Sequence, residues 1–313
     1  MRSLTLCLLT AAAALAQQAQ PAQQPPPAQE PTVFRADTRI VVCHTTVVDK
    51  NGHLVTTLPQ SAFTVYENKV RQEIRRFKRE DIPVSLGLVV DNSGSMRNKL
   101  QKVSAAALAL VKDSNPGDEV FIVNFNDNAY LDNPKDKDFT SDIGELESAL
   151  ARIDARGGTA MRDAVEMSIE HLKKAHRDKK VLVVITDGND NSSLLSLDHI
   201  MKSAHASDVL IYGVGLLTEE EHREAAHAKK ALNDLAEATG GKTFFPKDVE
   251  EVDAIAHLVA HDIRSQYIIE YSPSNSTMDG TFRSIHITAR AAGNPTVRTR
   301  SGYYATPDAK TNK

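Results

Sequence analysis

The chain has 313 residues, enough for one large domain or two modest ones with a sizeable buried core. Its 37 basic and 41 acidic residues are interspersed and sum to a formal charge of -4, so no polyanion-binding surface is implied and nucleic acid is not an expected partner. It has two cysteines, Cys7 and Cys43.

The first element is Met1-Arg2-Ser3 followed by the apolar run Leu4 to Leu15, with small residues at Ala14 and Ala16. One positive charge, a short apolar core and a small-x-small site are the pattern of a secretory signal peptide over 1–16, too short for a membrane span. Gln17 is then the new N-terminus and the protein is expected outside the cytoplasm, secreted or held in the cell envelope. Cys7 leaves with the signal, so Cys43 is alone, no internal disulfide is possible, and burial is its expected state. Residues 17–34 are mostly Gln, Ala and Pro with almost no charge, the composition of a disordered spacer. No later segment is apolar enough to cross a bilayer.

Residues 35–80 read as β-rich. Thr38 to Val48 is dense in β-branched residues and runs into the turn signal Asp49-Lys50-Asn51-Gly52. Phe63 to Tyr66, the turn Glu67-Asn68-Lys69 and Val70 to Phe77 read as a second hairpin, and Asp81-Ile82-Pro83 marks a boundary. Alone, this segment has too few strands to close a sandwich.

From Val84 the pattern changes to alternating strands and helices over 82–264. Val84 to Val90 and Lys180 to Ile185 are continuous apolar runs, as expected of strands buried on both faces. Further strands are expected at Glu119 to Phe125, Ala129 to Leu131, Val209 to Gly213 and Lys242 to Phe245. Helices are expected at Asn98 to Lys112, Ser141 to Ile153, Gly157 to His176, Ser196 to Ala206, Glu219 to Ala238 and Val249 to Ser265. This alternation specifies a doubly wound, Rossmann-like α/β domain with a parallel-dominated sheet. Strand character returns over 266–304 at Tyr267 to Tyr271, Phe282 to Arg290 and Thr296 to Tyr304, before a polar tail at 305–313. These strands also lack partners of their own. The two flanks are therefore expected to pair into one β-sandwich with the α/β domain inserted between them; two separate β-flaps on that domain are the competing arrangement.

The chemistry sits where strands end. Asp91-x-Ser93-x-Ser95 follows the first α/β strand, and alternate oxygen side chains there suit a hard cation such as Mg²⁺. Gly158-Thr159 precedes a helix and Asp187-Gly188 ends the second buried strand. In a doubly wound sheet these loops share the carboxyl edge and can converge. With these residues in place, 82–264 resembles the von Willebrand factor A-type domains and their metal-ion-dependent adhesion site, whose pattern is Asp-x-Ser-x-Ser, then a Thr, then an Asp. The resemblance implies that Asp91, Ser93, Ser95, Thr159 and Asp187 ligate Mg²⁺ (or Mn²⁺ or Ca²⁺), and that a protein partner's Asp or Glu completes the coordination. It also implies, in some members, a change of state when the last helix slides, here Val249 to Ser265, which would couple the site to 266–304. The flanking segments ending "FTVYENKVRQEIRRF" and "VRTRSGYY" are similar to a secreted bacterial subgroup of that family. Three neutral hydroxyls and two carboxylates leave a dication electron-poor, which favours capture of an anionic oxygen. Gly94 is expected to permit a sharp loop, and Gly157-Gly158 a close approach.

Other signals point nowhere further. His257 and His261, four apart, fall off the apolar stripe Val252, Ile255, Val259 and Ile263, and no third ligand accompanies them; His222 and His227 are weaker still. Gly213-Val214-Gly215 lacks the third glycine of a dinucleotide turn. Arg71, Arg75, Arg76, Lys78 and Arg79 read as a solvated strand edge that discourages pairing. Asp190 reads as solvating its loop. Ser93 and Ser95 have no histidine base in these loops and no nucleophile elbow surrounds them, so catalysis is not expected. A metal-stabilised envelope scaffold and a metal-dependent hydrolase remain the alternatives to an adhesion module.

Overall fold

The computed structural model describes residues 39–113, 115–152, 154–217 and 222–307. The expected signal peptide at 1–16, the expected spacer at 17–34 and the end of the polar tail lie outside the described residues.

The N-terminal flank supplies β1 (Val41–Val48), β2 (Phe63–Glu67), β3 (Val70–Gln72) and β4 (Ile74–Lys78). β1 alternates Val41, Cys43, Thr45 and Val47 inward, the period-2 pattern of a half-buried strand. The run Val70 to Phe77 departs from its reading as one hairpin arm. β3 pairs with β2, but the chain leaves that sheet at Glu73, and β4 pairs instead with a C-terminal strand. The buried Gln72 side chain holds the corner, bonding Ser274 Oγ at 3.0 Å through its amide N–H and accepting from Ser274 N at 2.9 Å. Strands that switch sheets in this way make the corners of sandwiches.

The α/β part follows with β5 (Val84–Asp91), α1 (Leu100–Lys112), β6 (Glu119–Phe125), β7 (Ala129–Leu131), α2 (Ile143–Ala151), α3 (Met161–His171) and β8 (Lys179–Thr186). It continues with α4 (Leu197–Ala206), β9 (Val209–Gly215), α5 (His222–Thr239), β10 (Thr243–Phe244) and α6 (Val252–Arg264). The sheet order is β10-β9-β8-β5-β6-β7, parallel except for β7, which hairpins back onto β6. All of β5 is buried, so its alternate residues feed two cores. Leu86, Leu88 and Val90 pack toward α1, α2 and α6, and Val89 packs with α3, α4 and α5. From β5 the chain goes to β6 on one side, and β8 lies on the other. That reversal makes the carboxyl ends of β5 and β8 the sheet's topological switch point, where open α/β sheets bind ligands.

The C-terminal flank adds β11 (Tyr267–Tyr271), β12 (Phe282–Ala289), β13 (Thr296–Arg298) and β14 (Gly302–Tyr304). Both flanking sheets are mixed in origin, with orders β13-β1-β11-β4 and β14-β12-β2-β3. Val41, Cys43 and Tyr267 from one share a core with Phe63, Val65 and Ile285 from the other, which makes the pair of sheets a β-sandwich. The run Thr296 to Tyr304, read as one strand, is two strands in different sheets. Arg300 anchors the crossing: it is buried, ion-paired to Asp208 at 2.6 Å, and bonded to the carbonyls of His205 and Ser207 at 3.0 Å each. A polar junction joins α6 to the sandwich. The buried Asp262 accepts from Thr46 Oγ1 of β1 at 3.0 Å and pairs with Arg298 of β13. Gln266 donates to Thr46 Oγ1 at 3.1 Å and to Tyr212 at 3.3 Å.

Candidate metal centre

The strands set the site's backbone. β5 delivers Asp91 as its last residue, and a 3-10 turn over Gly94–Asn98 follows at once. Asp91 is fully buried; its Oδ1 accepts from Ser93 N at 2.8 Å and its Oδ2 from Thr186 Oγ1 at 2.6 Å. Burial pushes the Asp91 carboxyl up to about 6, because those bonds only partly replace lost hydration. The Ser93 and Ser95 hydroxyls stand 3.1 Å apart, and Ser95 Oγ donates to Asp187 Oδ1 at 2.7 Å. Four of the five residues singled out from the sequence are therefore linked in one hydrogen-bonded chain. Ser95 is the exposed member, so the cluster opens to solvent on its side.

Thr159 approaches the cluster from a third loop but shares no hydrogen bond with its four members. It is buried, and its Oγ1 lies against Gly188, 3.8 Å from where a methyl group there would sit. Its backbone is fastened to the loop after β8: Thr159 N donates to Asn191 Oδ1 at 2.8 Å, and its carbonyl accepts from Asn191 N and Ser192 N at 3.0 and 3.1 Å. Gly158 N donates to Asp127 Oδ1 at 2.7 Å. Gly157 has φ +73°, and a side chain there would collide with the Asp127 carboxylate, so glycine is required on both counts. Gly94, in contrast, has ordinary backbone angles and room for a Cβ at 3.6 Å from Gly157 O. The expected need for glycine at that position is not met; the tight approach is made by 157–158.

Several residues here were not singled out from the sequence. Lys99, at the start of α1, places its ammonium 2.6 Å from Asp187 Oδ2, whose side chain is fully buried. Thr186 holds Asp91, and Asn191 and Asp127 hold the Thr159 loop. Asp190 does more than solvate its loop. It accepts from Arg162 N at 2.7 Å, pairs with the Arg162 guanidinium at 2.9 Å and accepts from Ser193 Oγ at 2.7 Å, bolting the post-β8 loop to the start of α3. An Asp just beyond a buried strand and its following glycine was the only available signal. His257, exposed on α6, pairs with Asp113, which raises its pKa.

The donor set is all oxygen: two carboxylates, three hydroxyls and no nitrogen or sulfur ligand. That chemistry fits a hard dication, with Asp91, Ser93, Ser95, Thr159 and Asp187 as the residues able to hold it. The desolvated Asp91 carboxylate is the strongest element of the fit, since it lacks the full solvation its charge demands. Among the described residues no group of three or more His, Cys, Asp or Glu is arranged to hold a metal. The three loops carry no histidine that would serve as a general base.

Residues 86–189 match the family model of the von Willebrand factor type A domain. Inter-alpha-trypsin inhibitor heavy chain H4 of Bos taurus is 28% identical over 117 residues, 34% of this chain and 13% of that protein. The uncharacterised protein YehP of Escherichia coli (strain K12) is 26% identical over 142 residues, 45% of this chain and 35% of its own length. This chain thus spans only a minor part of those relatives. Among solved structures, a von Willebrand factor type A protein from Catenulispora acidiphila superposes with a TM-score of 0.51 at 15% identity, covering 88% of this chain and 76% of that one. Proximal thread matrix protein 1 from the mussel byssus, solved with a zinc-occupied metal-ion-dependent adhesion motif, gives a TM-score of 0.50 at 18% identity over 63% of this chain and 50% of that one. Residues 86–189 of the inserted α/β domain thus carry the von Willebrand factor type A match, in a fold those structures share.

Proposed function

We propose that Asp91, Ser93, Ser95, Thr159 and Asp187 hold a divalent cation, Mg²⁺ or alternatively Mn²⁺ or Ca²⁺, and that the site binds a protein partner through an acidic side chain. The supporting observation is the bonded chain Asp91–Ser93–Ser95–Asp187 at the sheet's reversal point, with the Ser95 end open to solvent. With only two negative charges among five ligands, a bound dication would keep a Lewis-acidic position that an anionic oxygen can fill. The surrounding residues orient that position: Thr186 fixes Asp91, Lys99 and Ser95 fix Asp187, and Asn191 fixes Thr159.

The reading places the protein outside the cytoplasm, as the N-terminal sequence suggests; no helix among the described residues is long and apolar enough to cross a membrane. It assigns binding, not catalysis. The test is capture of extracytoplasmic proteins on the immobilised chain in Mg²⁺, in EDTA, and with Asp91→Ala. Capture that needs Mg²⁺ and disappears in the variant supports adhesion. Capture indifferent to metal would make the protein a scaffold, and metal-dependent turnover of a substrate panel would make it a hydrolase.

A further inference from the structure

Lys99 stands where local rules disfavour a cation. It is the N-cap of α1, its side chain makes no capping bond to that helix, and no acidic residue lies in the first turn. Side-chain oxygens are the favoured caps, and the positive end of a helix is unfavourable for an ammonium. What the chain places there instead is a fixed charge at the metal loops. Lys99 follows directly on the 3-10 turn over Gly94–Asn98 that carries Ser95. Its backbone N–H donates to the Met96 carbonyl at 2.8 Å, and its own carbonyl accepts from Val103 N at 3.0 Å, so its backbone is held on both sides. Its ammonium lies 2.6 Å from Asp187 Oδ2; the Asp187 side chain is fully buried and that of Lys99 is 23% exposed.

That pair changes the charge of the site. Asp187 is close enough to Asp91 to add, after burial, to the upward push on the Asp91 carboxyl. Two carboxylates and one ammonium give this bonded group a charge of -1. Arg162 nearby is already paired with Asp190, and the rim charges of Arg97, Asp127, Asp154 and Arg156 are all exposed and screened by solvent. Charges inside the buried group act on one another more strongly than those on the rim. A dication would bring the group from -1 to +1, and one partner carboxylate would bring it to zero. Without Lys99 the loaded group would be neutral before the partner arrives. We infer that Lys99 sets the charge of the site, weakening its hold on the dication and strengthening the loaded site's preference for a carboxylate over a neutral oxygen. Lys99 acts through Asp187 and is not itself a ligand. This inference rests on the proposed metal-dependent capture of an acid.

The test compares the full chain with Lys99→Gln, which removes the charge but keeps a donor for Asp187, and with Lys99→Arg, which keeps the charge. Mn²⁺ affinity is read by titration calorimetry. Binding of a fluorescent Gly/Ser peptide with one Asp, and of its Asn counterpart, is read at Mn²⁺ concentrations that saturate each protein. Lys99→Gln is expected to bind Mn²⁺ about tenfold more tightly and the Asp peptide about three- to tenfold more weakly, with the Asn peptide unmoved. Lys99→Arg should stay within about twofold of the wild type in both. In EDTA the melting temperature of Lys99→Gln should fall, because the buried Asp187 loses its counter-charge, and Mn²⁺ should raise it by more than in the wild type. A glutamine variant that weakens Mn²⁺ and the Asp peptide together, or changes neither, makes Lys99 a support for Asp187 alone; it overturns the inference and leaves metal-dependent capture standing. Absence of Mn²⁺ binding, or of an Mn²⁺-dependent preference for the Asp peptide in the wild type, overturns the capture reading and the inference with it.

Discussion

Asp91 is a buried carboxylate with a local tension that titration can read. Its carboxyl is raised to about 6 by burial, so the folded chain holds its proton more tightly than the unfolded chain does. The contribution to stability is therefore complete below the unfolded value of 3.8, is lost as pH rises toward about 6, and is a cost at neutral pH. Asp91→Asn should stabilise the protein in EDTA at pH 7.5 by about 2 kcal/mol while abolishing any Mg²⁺-induced rise in melting temperature. Calorimetry with and without the ion checks both halves. In the wild type, Mg²⁺ affinity should fall as pH drops below about 6, because the ion requires the deprotonated carboxylate. Asn191→Ala tests the support of Thr159. It removes the acceptor for Thr159 N and should weaken Mn²⁺ binding by about tenfold, read by titration, with little change in melting temperature. The Asp-x-Ser-x-Ser spacing was legible because its members are two apart on one loop. Lys99 on Asp187 and Thr186 on Asp91 span 88 and 95 positions, and no local pattern announces such pairs.

Among the elements, α6 has the most consequential surroundings. Its last turn is tied to the sandwich through Asp262, Thr46 and Arg298, and to the base of the sheet through Arg264, which pairs with Asp81 at 2.6 Å and also with Asp118. Asp262→Ala would leave the Arg298 guanidinium without its acid and should cost about 3 kcal/mol, measured by urea denaturation. Lys179, buried at the start of β8, donates to the Ile263 carbonyl in the same turn, and desolvation pulls its ammonium from 10.5 down to about 7. Between those values the unfolded chain binds more protons, so this residue makes stability rise with pH across that window. The stability difference between wild type and Lys179→Met should accordingly change by about 1 kcal/mol per pH unit from 7 to 10, and a flat difference would refute the assignment. The apolar stripe of α6 was plain in the sequence, whereas the buried Asp262 was not, since its acceptor role depends on a strand 216 positions away.

At the scale of the molecule, each flank is incomplete without the other. β1 is paired on both sides by C-terminal strands, and β2 lies between β12 and β3. Removing residues 266–307 should unfold the N-terminal strands and expose Val41, Cys43 and Val47, seen as thiol labelling of Cys43 that the intact chain resists. None of the five proposed ligands lies in the sandwich, so fragment 82–265 should keep a Mg²⁺-dependent melting shift if it folds. The sequence alone determined the α/β class, because buried parallel strands need unbroken apolar runs and covering helices need a 3.6-residue stripe. It also put the three oxygen-bearing loops on one edge of the sheet, because the ends of such strands share that edge, and the family resemblance then named the five candidate ligands. Only the tertiary structure decided where strands change sheets, as at Glu73 and between Arg298 and Gly302, and which distant groups hold the carboxylates. A strand's pairing partner and a buried charge's counter-group are chosen by packing across the whole chain, and neighbouring residues carry no record of that choice.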